Sequence, residues 1–174
     1  TRVLKGVVFE AVAERYADRI YAIALNYFKN PYDADDIVQE VLLKLYRSDA
    51  KFESEAHLKH WLLRVAVNQC KKILLSAWRR RNISLEGYLA GLQAEPDAES
   101  AVDAAQAAEE AERRNEILRA ILKLPKKYRL IIHLYYYEDY DTKEIAGILR
   151  MNEATVRTRL ARGRKILKEV FSDV

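Results

Sequence analysis

Arginine side chains are concentrated near the end of the chain, where residues 150–168 carry seven basic residues and one acid, Glu153. A guanidinium group can donate paired hydrogen bonds to the edge of guanine, or it can hold a phosphate. Apolar or small residues recur at helical spacing in this segment, at Val156, Leu160, Gly163 and Leu167. The opposite face carries Thr155, Thr158, Arg162 and Lys165. The pattern predicts an amphipathic helix that packs on one side and presents cations to nucleic acid on the other.

A shorter amphipathic segment precedes this helix. Asp141 or Thr142 can cap it, and Glu144 follows in its first turn. Its apolar face would consist of Ile145, Ala146 and Leu149. Residues 150–153 form a turn in which Asn152 suits a left-handed or capping position. A short helix, a turn and a long basic helix predict a helix-turn-helix, which binds duplex DNA. The alternative is an ordinary amphipathic helix with a solvated basic face.

The composition favours an all-α protein. Half of the 174 residues are hydrophobic, with only 5 glycines and 3 prolines, and the apolar spacing is helical almost throughout. No apolar run approaches the length that spans a bilayer, so we expect no membrane insertion. The single cysteine, Cys70, excludes an internal disulfide and suits a reducing, cytoplasmic location.

Charge is distributed unevenly along the chain. Residues 1–83 carry 15 basic and 10 acidic side chains, whereas residues 84–112 carry 8 acids and no lysine or arginine. Residues 113–171 return to 15 basic and 7 acidic side chains. We therefore predict two small helical domains, at 1–83 and 113–174, joined by an acidic linker at 84–112. The second domain would hold the helix-turn-helix.

Acidic residues open the second predicted helix of the first domain. Asn30-Pro31 ends the preceding helix, and Asp33 is the candidate N-cap of the next one, with acids in its first turn. The inward face would consist of Ile37, Val38, Val41, Leu42 and Leu45. The outward face would then carry Asp36, Gln39, Glu40 and Leu43.

A long third helix is predicted from about Ala56. Its apolar stripe would be Leu62, Ala66, Cys70, Ile73 and Ala77. Trp61, Asn68, Lys71 and Lys72 would lie on the other side. The helix ends in Trp78 followed by Arg79, Arg80 and Arg81. Aromatic and basic groups together suit opened nucleic acid, because bases stack while cations hold phosphates.

The residues that could support enzyme or metal chemistry have simpler explanations. The acids at 33–40 fit capping and a solvated face. His57, His60 and Cys70 lack a close fourth ligand, and the cysteine lies on the apolar stripe. The chain has no glycine-rich phosphate loop, no Gly-x-Ser-x-Gly elbow and no His-Glu-x-x-His motif. We therefore expect no catalytic residues, no bound metal and no cofactor.

Three segments carry a family resemblance. Residues 33–47 resemble the second conserved region of bacterial sigma factors. Residues 60–68, followed by 78–81, are similar to the part of that domain that melts and reads the −10 element. Residues 124–129 and the helix-turn-helix resemble the domain that reads the −35 element. The order and the short linker are typical of the extracytoplasmic-function (ECF) group of the sigma-70 family.

The resemblance implies a protein that is not an enzyme, binds core RNA polymerase and recognises promoter DNA. It implies polymerase contacts at Asp36, Gln39, Glu40 and Leu43. It implies −10 contacts at Asn68, Lys71 and Lys72, with the 51–57 loop capturing a flipped base and with Arg79 and Arg80 in the basic cluster. It implies −35 base contacts at Arg157, Thr158, Ala161 and Arg162, and phosphate contacts at Lys143, Arg159 and Lys165. An anti-sigma factor is a further partner that the resemblance suggests.

Two other function classes stay open on the sequence. An autonomous helix-turn-helix regulator would bind duplex DNA by itself, usually as a dimer. That class leaves the acidic helix at 33–47 and the basic end of the first domain without a role. A protein-interaction module could instead bind polymerase without promoting initiation.

Overall fold

The computed structural model describes residues 3–4, 7–81 and 116–172. The predicted acidic linker, at 84–112, lies outside the described residues. Two short strands, β1 (Val3–Leu4) and β2 (Val7–Val8), pair antiparallel ahead of the helices. The helices are α1 (Phe9–Phe28), α2 (Pro31–Arg47), α3 (Glu55–Arg81), α4 (Glu116–Leu122), α5 (Lys126–Ile132), α6 (Thr142–Leu149) and α7 (Glu153–Ser172). The all-α prediction is confirmed, with helices α1–α3 forming an N-terminal lobe and α4–α7 a C-terminal lobe.

The junction between α1 and α2 corrects the predicted cap. Lys29, at φ 50°, ends α1 in the left-handed region and donates its N–H to the Leu25 carbonyl at 2.9 Å. Asn30 caps α2, because its side chain accepts from the N–H groups of Tyr32 at 2.9 Å and Asp33 at 3.2 Å. The prediction that Asp33 is the N-cap was therefore wrong. Proline suits the first helical position, so the helix starts at Pro31 and Asp33 lies in its first turn.

Helix α3 packs a wider apolar face than the predicted stripe. Leu58, Leu63 and Val67 are buried together with the predicted Leu62, Ala66 and Cys70. Ile73, which the stripe placed in the core, is 39% exposed. None of residues 71–77 is buried, so the core contact of this helix ends at Cys70 and its last turns extend beyond it.

The C-terminal lobe begins with the helix pair α4 and α5, followed by a π-helical turn at His133–Tyr137. The tyrosine run lies in this turn, with Tyr135 and Tyr137 half-buried and Tyr136 exposed. Arg164 of α7 donates to the Tyr136 hydroxyl at 2.6 Å and lies 4.8 Å above the Tyr135 ring centre. These contacts fix α7 against the turn.

Among the described residues, one large hydrophobic cluster runs through both lobes, from Val12 in α1 to Leu160 in α7, and a smaller one joins Ala22 of α1 to Leu118 of α4. Helix α1 contacts α4 and α5, and α3 contacts α6. Charged groups also cross this boundary: Arg129, which is buried, donates to the Asn26 carbonyl. Lys59 lies 3.2 Å from the Glu138 carboxylate and donates to the carbonyl of the same residue at 2.7 Å. The two lobes are therefore packed together.

Within the described parts of the chain, none of the helices has the length and apolar character needed to cross a membrane.

Two glycines in helices of the C-terminal lobe have opposite surroundings. A Cβ atom at Gly163 would lie 2.8 Å from Cγ1 of the fully buried Ile132, whereas a Cβ at Gly147 would meet nothing within 4 Å. Alanine favours a helix over glycine by about 1 kcal/mol. Overpacking a core costs about 1–3 kcal/mol.

We expect Gly163→Ala to lower the free energy of unfolding and Gly147→Ala to leave it unchanged or raise it. Urea unfolding followed by circular dichroism, with equal m-values, would measure both changes. An increase in stability for Gly163→Ala would show that α7 does not pack on Ile132 as described.

Candidate nucleic-acid interface

Local signals in the sequence set the geometry of the helix-turn-helix. Asp141 caps α6 by accepting from the Glu144 N–H at 2.7 Å, and the Glu144 carboxylate accepts the Asp141 N–H at 3.3 Å. This capping box confirms the predicted start of the helix. Arg150, at φ 55°, is the left-handed residue of the turn. Asn152 instead caps α7, because its side chain accepts from the Ala154 N–H at 2.8 Å. Of the two roles predicted for Asn152, left-handed residue or cap, it therefore has the second.

Helix α7 packs through Val156, Leu160 and Gly163, which are buried, and Leu167, which is half-buried. Its outer face is exposed at Thr155, Arg157, Thr158, Ala161, Arg162 and Lys165. This set contains every residue predicted for the outer face and every predicted −35 base contact. The arrangement can place guanidinium groups and a hydroxyl in a groove of duplex DNA.

The acid of this segment, Glu153, orients the start of α7. Thr142 of α6 donates its hydroxyl to the Glu153 carboxylate at 3.1 Å, and Arg157 lies 3.4 Å from the same oxygen. Exposed pairs of this kind contribute little to stability, so Arg157 can leave Glu153 when a stronger acceptor arrives. The Thr158 hydroxyl donates to the Ala154 carbonyl at 3.0 Å and keeps its lone pairs for a donor.

The residues predicted to hold phosphates have different surroundings. Lys143 of α6 and Lys165 of α7 are exposed. Arg159 is half-buried and lines a cavity between the lobes together with Lys71. Arg159 therefore faces the cavity at the lobe boundary, a position that the sequence did not indicate.

The residues of α3 that are predicted to contact the −10 element differ in exposure and in hydrogen bonding. Asn68 is half-buried, and Lys71 and Lys72 are exposed. The ammonium of Lys71 donates to the Leu149 carbonyl of α6 at 2.7 Å, at the negative end of that helix dipole. Burial, followed by the charge of Arg150, lowers the pKa of Lys71. Arg79 and Arg80 belong to α3, and their side chains lie outside the described part of the structure.

The loop before α3 is anchored by aromatic contacts. The Phe52 ring lies edge-on to His57 at 5.5 Å and to Trp61 at 5.6 Å. Glu55, at the start of α3, accepts from Arg15 of α1 and from the Tyr16 hydroxyl at 3.1 Å. A cavity of about 440 Å³ lies between this loop and α1, with Arg15, Tyr16, Glu53 and Ser54 among its lining residues. Its volume and polar groups could accept an unstacked base.

The outer face of α2 carries Asp36, Gln39 and Leu43, all exposed, with Glu40 half-buried. The same helix exposes two large aromatic residues, Tyr32 at 67% and Tyr46 at 43%. Exposed apolar groups beside charges are typical of a protein interface. Neither tyrosine was predicted to lie on this face, although Tyr46 follows Leu43 by three residues, a spacing that places both on one side of a helix.

The described residues include no group of three or more histidine, cysteine, aspartate or glutamate side chains that could hold a metal. Cys70 is buried, and this burial raises the pKa of its thiol to about 12. A thiol of this kind is a poor nucleophile and a poor ligand.

Family models match both lobes. The model described as Sigma-70 region 2 matches residues 12–80, and the model described as Sigma-70, region 4 matches residues 114–167. The order of the two matches agrees with the predicted resemblance.

Curated relatives match almost the whole chain. The ECF RNA polymerase sigma factor SigW of Bacillus subtilis (strain 168) is 30% identical over 172 residues, which cover 95% of this chain and 90% of the relative. The ECF RNA polymerase sigma-E factor of Escherichia coli (strain K12) is 30% identical, covering 95% of this chain and 88% of the relative.

A solved structure supports the fold. The sigma factor RpoE, in complex with the anti-sigma factor NepR from Bartonella quintana, superposes with a TM-score of 0.64. The match covers 94% of this chain and 96% of that one, at 20% identity. Together, the two region matches and the relatives show that the chain belongs to the ECF group of the sigma-70 family of RNA polymerase sigma factors.

Proposed function

We propose that this chain binds core RNA polymerase and directs promoter-specific initiation by recognising −10 and −35 elements, without catalytic chemistry of its own. The observation that carries the proposal is the exposed outer face of α7, with Arg157, Thr158 and Arg162, in a region 4 that follows a region 2. The chain would act in the cytoplasm, where it would meet the polymerase. Domain limits of 1–83 and 113–174, with a linker at 84–112, fit the two matched regions.

The −35 element is assigned to α7. Arg157, Thr158, Ala161 and Arg162 would contact base edges, and the small Ala161 would let the helix approach the groove closely. Lys143, Arg159 and Lys165 would hold phosphates, which position the helix without reading sequence. Arg164 is not assigned to the DNA, since its guanidinium donates to the Tyr136 hydroxyl of the π-helical turn and lies over the ring of the same residue.

The −10 strand is assigned to α3 and the loop before it. Asn68, Lys72, Arg79 and Arg80 would lie along the strand, and Lys71 would join them after leaving the Leu149 carbonyl. A flipped base would enter the cavity of about 440 Å³ beside the loop. Arg15 of α1 and Ser54 of the loop line this cavity and would offer polar groups to the base.

Core polymerase is assigned to the outer face of α2, with Asp36, Gln39, Glu40 and Leu43 as its contacts. Leu43, at 42% exposure, together with Tyr46 would supply the apolar part of the contact. An anti-sigma factor could occupy the same face, and the related RpoE structure, which holds NepR, supports a partner of that kind.

The two promoter elements require the lobes to separate. Their positions differ by about 25 base pairs, or about 85 Å of B-form DNA. A packed body of this length has a radius of gyration of only about 16 Å. The packed chain therefore cannot contact both elements at once, and binding to polymerase would have to compensate for opening the lobe interface. An autonomous regulator would have no need of this opening.

Run-off transcription tests the proposed function. Core polymerase with this protein should produce discrete start sites on a library of genomic fragments, and core polymerase alone should not. Duplex binding by the chain alone, with neither core binding nor new start sites, would instead support the autonomous regulator.

Reversing charge on the outer face of α2 should damage polymerase binding. We expect Glu40→Lys, at a half-buried position, and Asp36→Lys, at an exposed one, to weaken core affinity by about tenfold or more, or about 1.4 kcal/mol. Glu14→Lys, an equal reversal on an exposed position of α1, should leave it unchanged. Fluorescence anisotropy would measure the affinities, and circular dichroism would check the fold. Equal affinity for all three variants would refute the assigned face.

Removing one arginine from the outer face of α7 should weaken sequence-specific binding. We expect Arg162→Ala to cost about 1–3 kcal/mol on the −35 duplex and to relax specificity at one base pair. Lys168→Ala, which removes an exposed charge further along α7, is the matched control. Binding would be measured across a set of single-base promoter variants. The same loss on every variant would indicate a phosphate contact in place of base reading.

A further inference from the structure

A cavity of about 140 Å³ lies between the two lobes. The N-terminal lobe contributes Tyr27 and Lys71 to its lining, and the C-terminal lobe contributes Lys126, Leu149 and Met151. Its walls are largely apolar. The volume is close to the ~150 Å³ of a cavity that holds benzene, so it suits one small ring or a short branched chain.

Cations surround this apolar space. Lys71, Lys126, Lys127 and Arg159 line it, and none of the described lining residues is acidic. Lys71 donates to the Leu149 carbonyl, and Lys127 lies 5.0 Å above the Tyr128 ring. The excess positive charge favours an anionic occupant.

Lys126 gives the strongest indication of a ligand. Its ammonium is buried and has no hydrogen-bond partner within the described structure, although the Tyr27 ring centre lies 5.8 Å away. Burial, followed by the charge of Arg129, lowers the pKa of Lys126 to about 8. A buried, unpaired ammonium is costly, and an anion placed beside it would offset that cost.

We propose that this cavity is a binding site for a small apolar carboxylate, with its hydrocarbon part against Tyr27, Leu149 and Met151 and its carboxylate on Lys126. Both lobes line the cavity, so a bound ligand would stabilise their packed arrangement. It would thereby also hold Lys71 away from the −10 strand, a consequence that rests on the proposed function.

The full chain can be tested with benzoate, because Met151 is the only methionine and lines the cavity. The ¹³C-labelled methyl group of Met151 then gives one NMR signal at the site. We expect benzoate to shift this signal saturably at about millimolar concentration, with cross-relaxation between its ring protons and the methyl group. Benzyl alcohol, which has a similar shape but no charge, should bind at least about tenfold more weakly.

Two variants distinguish benzoate binding in this cavity from general attraction of an anion to a basic surface. Lys126→Met, which keeps the hydrocarbon stem, should weaken benzoate binding by about tenfold or more. Lys123→Met, at an exposed position outside the cavity, should leave it unchanged. Equal weakening by both variants, equal binding of benzyl alcohol, or an equal response to inorganic phosphate would overturn the proposal. The assay uses neither polymerase nor DNA, so its outcome is independent of the proposed function.

Discussion

Buried charge at the boundary between the lobes constrains the rest of the structure. Arg129 is buried and donates to the Asn26 carbonyl, while Lys59 pairs with the fully buried carboxylate of Glu138. Removing one partner of such a pair is strongly destabilising, because the remaining charge stays buried. Separating the lobes does not leave a buried charge without its partner, since water can then reach both groups. An interface built this way packs specifically and can still open, which suits a protein whose two halves must bind distant sites.

In the packed arrangement, some of the candidate contact residues lie on open outer faces, and others line the cavity between the lobes. The outer faces of α7 and α2 are exposed in the packed state, apart from the half-buried Glu40. Arg159, which is half-buried, and Lys71, which is exposed, line the cavity between the lobes, and Lys71 already donates to the Leu149 carbonyl at the end of α6. Polymerase docking and −35 recognition could therefore begin in the packed state, whereas full −10 contact would follow its opening.

Local sequence signals predicted most of the helices and the outer face of α7, because helical periodicity and caps act over a few residues. The capping box of Asp141 and Glu144 is one example. The N-cap of α2 was assigned wrongly to Asp33 because aspartate and asparagine both cap helices. Pro31 indicates the correct residue, since proline favours the first helical position and Asn30 directly precedes it. The role of Arg129 could not be predicted, since its acceptor lies 103 residues away and no local pattern links the two. The exposure of Ile73 was missed for a related reason, because periodicity does not reveal where neighbouring helices end.

The central claim is that the free protein keeps its lobes packed and that promoter recognition separates them. Spin labels at Glu14→Cys and Lys168→Cys would measure the distance between lobes, and the buried Cys70 should stay unlabelled. Pulsed electron resonance should give a single short distance for the free chain. In the complex with core polymerase and promoter DNA, the distance should increase by about 40 Å. An unchanged distance in a complex that transcribes would contradict the claim.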